Sequence, residues 1–157
     1  MKITKHSLSA LLLAAIMVLA AGCQTQTTKD IDVAGLASHL NETLEFQDQL
    51  AALDSQTILT LYELEAGDVA NTAVYASTGA TAEEIAVLEA ADESKVSKLQ
   101  EAVNQRIETK KEDFEGYLPA EMKKLQDPVI RTEGNVVVLC ISNDSDQANS
   151  AIDEYLK

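Results

Sequence analysis

The chain has few of the residues that most site chemistry needs. It carries two cysteines, two histidines and 12 basic residues against 26 acidic ones. So few cysteines rule out a disulfide framework, particularly if Cys23 is used for something else, which leaves Cys140 without a partner. The formal charge of −14 repels phosphate backbones and anionic headgroups, so nucleic-acid binding is not expected. A long apolar run is also missing. The longest, Leu8 to Ala21, is broken only by Ser9 and falls short of the roughly 20 residues that a membrane span requires.

That short run has another use. Lys2 and Lys5 precede it, and it ends Leu19-Ala20-Ala21-Gly22-Cys23, followed at once by polar Gln24 to Lys29. A basic start, an apolar stretch and small residues before a cysteine form the order of a lipoprotein signal peptide. The usual box has leucine three residues before the cysteine, where this chain has Ala20, with Leu19 one step further out. An ordinary secretory signal cut nearby, or a short anchor helix with an incidental cysteine, is the competing reading. The expected organisation is a cleaved signal over 1–22, a lipid-bearing Cys23 with a tether to residue 29, and one domain over 30–157. Cleavage removes two lysines and no acids, so the remaining 135 residues carry a formal charge of −16. The lipid, not the protein surface, must then attach the chain to the outer face of the cytoplasmic membrane. One acyl chain holds only marginally, whereas two or three hold stably.

From Asp30 onward the sequence is periodic. Ile31, Val33, Leu36, Leu40 and Leu44 fall at helical spacing, with Asp30 or Asp32 as cap. Residues 47–66 are ambiguous between a broken helix and a strand. Asn71 to Ser77 reads as a strand, Thr78-Gly79-Ala80 as a turn, and 83–90 as its hairpin partner, although Glu83-Glu84 would also suit a helix start. Val96, Leu99, Val103, Ile107, Lys110 and Phe114 keep steps of three and four, which predicts a helix of about 22 residues capped by Asp92 and stopping near Gly116. Pro119 starts a short helix that ends before Asp127-Pro128. Val129 to Thr132 and Val136 to Ile141 are strands joined by a turn in which Gly134 and Asn135 supply positive φ. A terminal helix starts near Asp144 and turns Ala148, Ile152, Tyr155 and Leu156 inward. The order predicts an α+β domain: one antiparallel sheet of about four to five strands, its inner face covered by the long and terminal helices.

At these residues a resemblance enters. The lipoprotein-like start, Tyr75-Ala76-Ser77, Gly79 to Val87, Arg106 late in the long helix, Tyr117 with Pro119, and Gly134-Asn135 before a valine-rich strand resemble the domain of unknown function 4358 family. That family occurs among lipoproteins of low-GC Gram-positive bacteria. The resemblance spans roughly residues 30–157 and implies a cell-surface address and a strand over 83–90. It brings no catalytic residues, and it carries a loose association with the modification of surface polymers.

Candidate chemistry is sparse. His39, the one histidine after the leader, shares a helix face with Glu42, but a metal site needs three or four ligands and no His or Cys cluster supplies them. A Ser-His-Asp arrangement would need His39 as well, with no nucleophile-elbow motif in view. An exposed surface histidine is the expectation. Asn143-Asp144-Ser145-Asp146 invites a calcium loop, but Asn149 and Tyr155 stand where glycine and glutamate belong, so a helix cap is expected. Glu83-Glu84 and Asp113 with Glu115 are acid pairs that chance supplies among 26 acids, and they read as solvated surface. Arg106, one of two arginines, either pairs with a carboxylate near the sheet or meets an anionic ligand. Tyr117 is the second candidate ligand contact, expected with Tyr75 at the sheet–helix boundary, its hydroxyl on a polar partner. No cofactor is expected. The expected function is non-catalytic binding of a protein partner or an envelope component. The alternatives are an accessory subunit of an envelope-polymer-modifying membrane enzyme or, last, a hydrolase with an unrecognised carboxylate site.

Overall fold

A computed structural model describes residues 30–157. The expected signal peptide, Cys23 and tether lie outside the described residues. Helix α1 spans Val33–Thr43, and Asp32 caps it by accepting the Gly35 N–H at 3.0 Å. The ambiguous stretch resolves into a two-residue strand β1, Ala51–Ala52, and a short helix α2, Ser55–Leu61, capped by Asp54. Strands β2, Val69–Ala76, and β3, Glu84–Ala90, form the expected hairpin. A 3₁₀ turn capped by Asp92 leads into α3, Val96–Glu115. Pro119 opens a second 3₁₀ turn, followed by α4, Met122–Gln126. Strands β4, Val129–Glu133, and β5, Val136–Ile141, precede α5, Ser145–Tyr155, which Asp144 caps through the Gln147 N–H.

The five strands form one antiparallel sheet in the order β1-β2-β3-β5-β4. The fold is α+β, and the central pair, β3 and β5, is buried along nearly its whole length. Such burial needs cover on both faces, and here the sequence expectation is corrected. The long and terminal helices lie on opposite faces of the sheet, not together on one. Leu99, Val103, Ile107 and Phe114 of α3 pack with Ala86, Leu88, Val137 and Leu139, joined by Ile58 from α2. Ala148, Ala151 and Ile152 of α5 and Leu36, Ala37 and Leu40 of α1 pack with Ile85, Val87, Val138 and Cys140. Successive strand residues point to opposite faces, so unbroken apolar runs such as Val136 to Ile141 feed both cores at once.

The β4–β5 turn has the expected two-residue length, with one of the two expected positive φ values. Pairing of Glu133 with Val136 leaves only Gly134 and Asn135 in the loop. Gly134 has φ of 59°, while Asn135 is not among the positive-φ residues. One positive-φ residue, placed first in a two-residue primed turn, is a position that glycine fills most readily.

Candidate functional site

Two adjacent carboxylates organise the interior. Glu84 is the first residue of β3, opposite Ala76 and Ile141, and Glu83 precedes it. Both are fully buried, which corrects the expectation of a solvated acidic surface. The side-chain alternation of a strand sends them to different networks.

Glu84 points into the α3 side. Arg106 Nε donates to its Oε1 at 3.0 Å and Nη2 to its Oε2 at 2.7 Å, a two-point grip that only a guanidinium provides. Lys110 Nζ stands 2.9 Å from Oε2, and the Tyr62 hydroxyl donates to Oε1 at 2.6 Å. Arg106 and Lys110 are four residues apart on α3 and so share a face. Burial pushes the Glu84 carboxyl up, but Arg106, Lys110 and Tyr62 together outweigh it and hold the group below its ordinary value. Burial lowers Lys110, while burial and the facing carboxylate raise the Tyr62 hydroxyl.

Glu83 lies where three loops meet helix α4. Its carboxylate accepts the backbone N–H groups of Gln47 and Asp48 at 3.0–3.1 Å, the Thr81 hydroxyl at 3.0 Å, Lys124 Nζ at 3.1 Å and Asn143 Nδ2 at 3.3 Å. Lys124 spends its other donors on Gln47 Oε1 at 2.8 Å and Glu121 Oε2 at 2.9 Å. Burial raises the Glu83 carboxyl, but these donors more than compensate and depress it. A third buried acid, Asp68, is held by Lys98, Lys95 and the Glu65 N–H, which keep it well below the usual carboxylate range.

A cavity of about 220 Å³ opens beside the first network, between the end of α2 and the outer side of α3. Leu61, Tyr62, Glu63 and Leu64 form one wall, and Lys98, Ala102 and Arg106 contribute to the other. The first wall follows from how α2 stops. The Leu64 N–H donates to the Leu59 carbonyl at 2.9 Å and the Glu63 N–H to the Thr60 carbonyl at 3.4 Å, the paired bonds of a Schellman ending. Its left-handed position is filled by Glu63, with φ of 53°, where glycine is the ordinary choice. A second cavity, of about 250 Å³, lies between α4 and the start of α5 and is lined by Lys124, Ser142 and Asn143 among others.

The remaining sequence candidates fall elsewhere. Arg106 lines the first cavity and also pairs with Glu84, so both roles weighed for it meet in one side chain. Tyr117 is not at a sheet–helix boundary. It is 72% exposed, because it follows the end of α3 where the chain turns outward, and it is not among the residues lining that cavity. Tyr75 packs against the α1/α5 core as expected. His39 is half-buried, not exposed: its ring meets Tyr155 at 5.3 Å between centroids, and its buried Nε2 has no hydrogen-bond partner among the described residues. Asp144 acts as the expected cap. Cys140 is a buried free thiol on an interior strand, pushed up to about 12 by burial. Among the described residues, no cluster of His, Cys, Asp and Glu could hold a metal ion, and no helix is long and apolar enough to cross a membrane.

Tyr62, Asp68, Lys110 and Lys124 were not singled out by sequence reasoning as site residues. One signal was present: Lys110 occupies a place in the apolar stripe of α3, and a cation inside such a stripe requires a buried anion.

A sequence profile described as Domain of unknown function (DUF4358) matches residues 42–142. The chain therefore belongs to the domain of unknown function 4358 family, as its motifs suggested. Neither a curated protein nor a solved structure matches it significantly.

Proposed function

We propose that this is the precursor of an exported lipoprotein, anchored through Cys23 to the outer face of the cytoplasmic membrane, whose acidic domain binds a protein partner or a cell-envelope component without turning it over. The observation that carries the binding reading is the saturation of the buried acids. Glu83, Glu84 and Asp68 each receive cationic and N–H or O–H donors from within the fold. A carboxylate so occupied holds loops and helices in place, whereas a general acid or base must be free to exchange a proton at neutral pH. The cavity beside Arg106 offers a preformed surface instead.

The anchor fits the fold. Asp30 lies beside Asn71, Thr72 and Glu89, where β2 begins and β3 ends. Six residues, 24–29, span roughly 20 Å at most, so the start of the domain would stay within about that distance of the bilayer. Substitution Cys23→Ser tests the address: the variant should accumulate as unprocessed precursor and take up no labelled fatty acid. Equal labelling of variant and wild type would overturn lipid anchoring.

A further inference from the structure

At one end of the sheet, pairing stops without cover. Strand β4 has β5 on one side and, among the described residues, no strand on the other. The hairpin turn fixes which groups face outward. Glu133 and Val136 close a two-residue loop, and such a closing pair exchanges both backbone bonds. Glu133, Arg131 and Val129 therefore bond to β5, and the N–H and C=O groups of Ile130 and Thr132 point away from it. These four groups have no partner among the described residues. Both residues are exposed, and Ile130 is one of the few large apolar side chains that are. The opposite edge differs, because β1 and Leu53 cover β2 from Val74 to Ala76 and a bulge interrupts it between Val69 and Asn71.

An open edge is a template for another strand, and proteins commonly guard it with charge. A guard of one sign would repel a second copy of the chain. Here the sign alternates: Arg131 and Glu133 lie two residues apart on the α5 side, joined at 2.9 Å, with Asp153 at 3.0 Å from Arg131.

We infer that β4 pairs antiparallel with β4 of a second copy about a two-fold axis at Thr132, joining two five-stranded sheets into one. Of the symmetric registers centred inside the strand, one on Ile130 sets Thr132 against Pro128, which has no N–H to give. One on Arg131 sets two arginines face to face, and like charges directly opposite are destabilising. The register on Thr132 lets that residue exchange both bonds with its copy and puts each Arg131 opposite the other copy's Glu133. Counting Asp153, the seam holds four carboxylates and two guanidinium groups. Each Glu133 then has two arginines beside it in place of one, and the arginines separate the acids of the two copies. The formal charge of −14 per chain opposes association at long range, although exposed charges are screened beyond about 8 Å at physiological salt. A seam this short makes a weak dimer. The interface goes beyond the binding reading above and does not rest on the lipid anchor.

Disulfide formation tests the register. Residues on the axis of a bonded pair have Cα atoms about 5.5 Å apart, within reach of a disulfide, whereas residues off the axis lie more than about 7 Å from their own copies. The purified full chain carrying Thr132→Cys should therefore oxidise to a covalent dimer. Ile130→Cys, also exposed on that edge, should crosslink at least about tenfold more slowly, and wild type, whose thiols are Cys23 and Cys140, gives the background. Charge reversal reads the same seam. In the Thr132→Cys background, Arg131→Glu and Glu133→Arg should each slow crosslinking about tenfold, because two like-charge pairs replace two opposite ones. Mixed, the two variants should crosslink to each other as fast as Thr132→Cys alone, since acid then faces base at both pairs. The contrast between positions 130 and 132 stands even if a reversal fails to fold. No covalent dimer of Thr132→Cys up to about 1 mM chain would leave the edge to another occupant and overturn the inference. Equal crosslinking at positions 130 and 132, or folded reversals that do not restore one another when mixed, would also overturn it. None of these results touches fatty-acid labelling at Cys23, so the two proposals fail separately.

Discussion

Across the face covered by α1 and α5, Leu36, Leu40, Ile85, Val87, Val138, Cys140 and Ile152 form an apolar layer, and its buried acid, Glu83, stands at the mouth of the sheet. Across the face covered by α2 and α3, Glu84, Arg106 and Lys110 are set beside Leu88, Leu99 and Leu139. The first face draws its stability from apolar area removed from water, worth roughly 25 cal/mol per Å². The second sets Coulomb attraction against desolvation, a balance that often breaks even or loses to an apolar replacement. Side by side, they show where stability alone accounts for the residues and where it does not. Nothing in the packing of α3 demands a Glu-Arg-Lys cluster, and that is the face with the cavity.

The largest expected effect lies on the charged face. Glu84→Ala leaves Arg106 and Lys110 buried without their anion and should cost about 3–5 kcal/mol, read as a fall in the urea midpoint at unchanged m-value. The triple change Glu84→Leu, Arg106→Met, Lys110→Met removes all three charges and should be at least as stable as wild type. A loss below about 1 kcal/mol for Glu84→Ala would mean that the cluster is solvated in solution, and the contrast between the faces would disappear.

On the apolar face the counterpart is Leu36→Ala. Leu36 is fully buried against both α5 and the sheet, so truncation should cost about 2–5 kcal/mol through lost transfer energy and a cavity. No combination of charge changes elsewhere should restore it, whereas the Glu84 loss is repaired by removing its partners. That difference in repair, more than the size of either loss, separates the two kinds of interior.

Legibility divides along the same line. Elements governed by periodicity could be read: α1, α3 and α5 from steps of three and four, and β5 from its valine run. The sidedness of the helices could not. An unbroken apolar run such as Val136 to Ile141 states that both faces are covered, but not which helix covers which. The ambiguity of residues 47–66 had a physical cause, since β1 has two residues and α2 seven, both too short to show a period. Of the site, Arg106 was legible because arginine is scarce here. Glu83 and Glu84 were hidden among 26 acids, because local sequence does not record the distant Lys124, Tyr62 and Lys110 that make their burial affordable.

A smaller effect is expected at Gly134, which belongs to neither face but joins the strands that both faces use. Its φ of 59° favours glycine, so Gly134→Val should cost roughly 1–2 kcal/mol in backbone strain. Gly134→Asn should fall between the two, since asparagine tolerates left-handed angles better than a β-branched residue. The melting temperatures should therefore rank wild type, Asn, Val. If Val melts with wild type, residues 133–136 do not form the two-residue turn.

Cys140 offers the finest comparison, because it reports on the apolar face without altering it. The thiol is buried on an interior strand and pushed up to about 12, so neither access nor thiolate favours reaction in the native state. A maleimide reagent should label it only through opening of the domain, and completely after denaturation. When opening is fast relative to labelling, the rate follows the open population, rising about tenfold for each 1.4 kcal/mol of destabilisation. Two mechanisms then give different results. If opening is global, Glu84→Ala and Leu36→Ala should each accelerate labelling in proportion to their own loss of stability. If α1 and α5 lift from the sheet as a separate unit, Leu36→Ala should accelerate labelling fully, while Glu84→Ala, on the far side of the sheet, should leave the rate near wild type. The shared strands β3 and β5 carry side chains into both cores, so losing either core frees the backbone of the other. That coupling favours the global result. Rapid labelling of the native wild-type domain would contradict both mechanisms and remove β5 from the sheet interior.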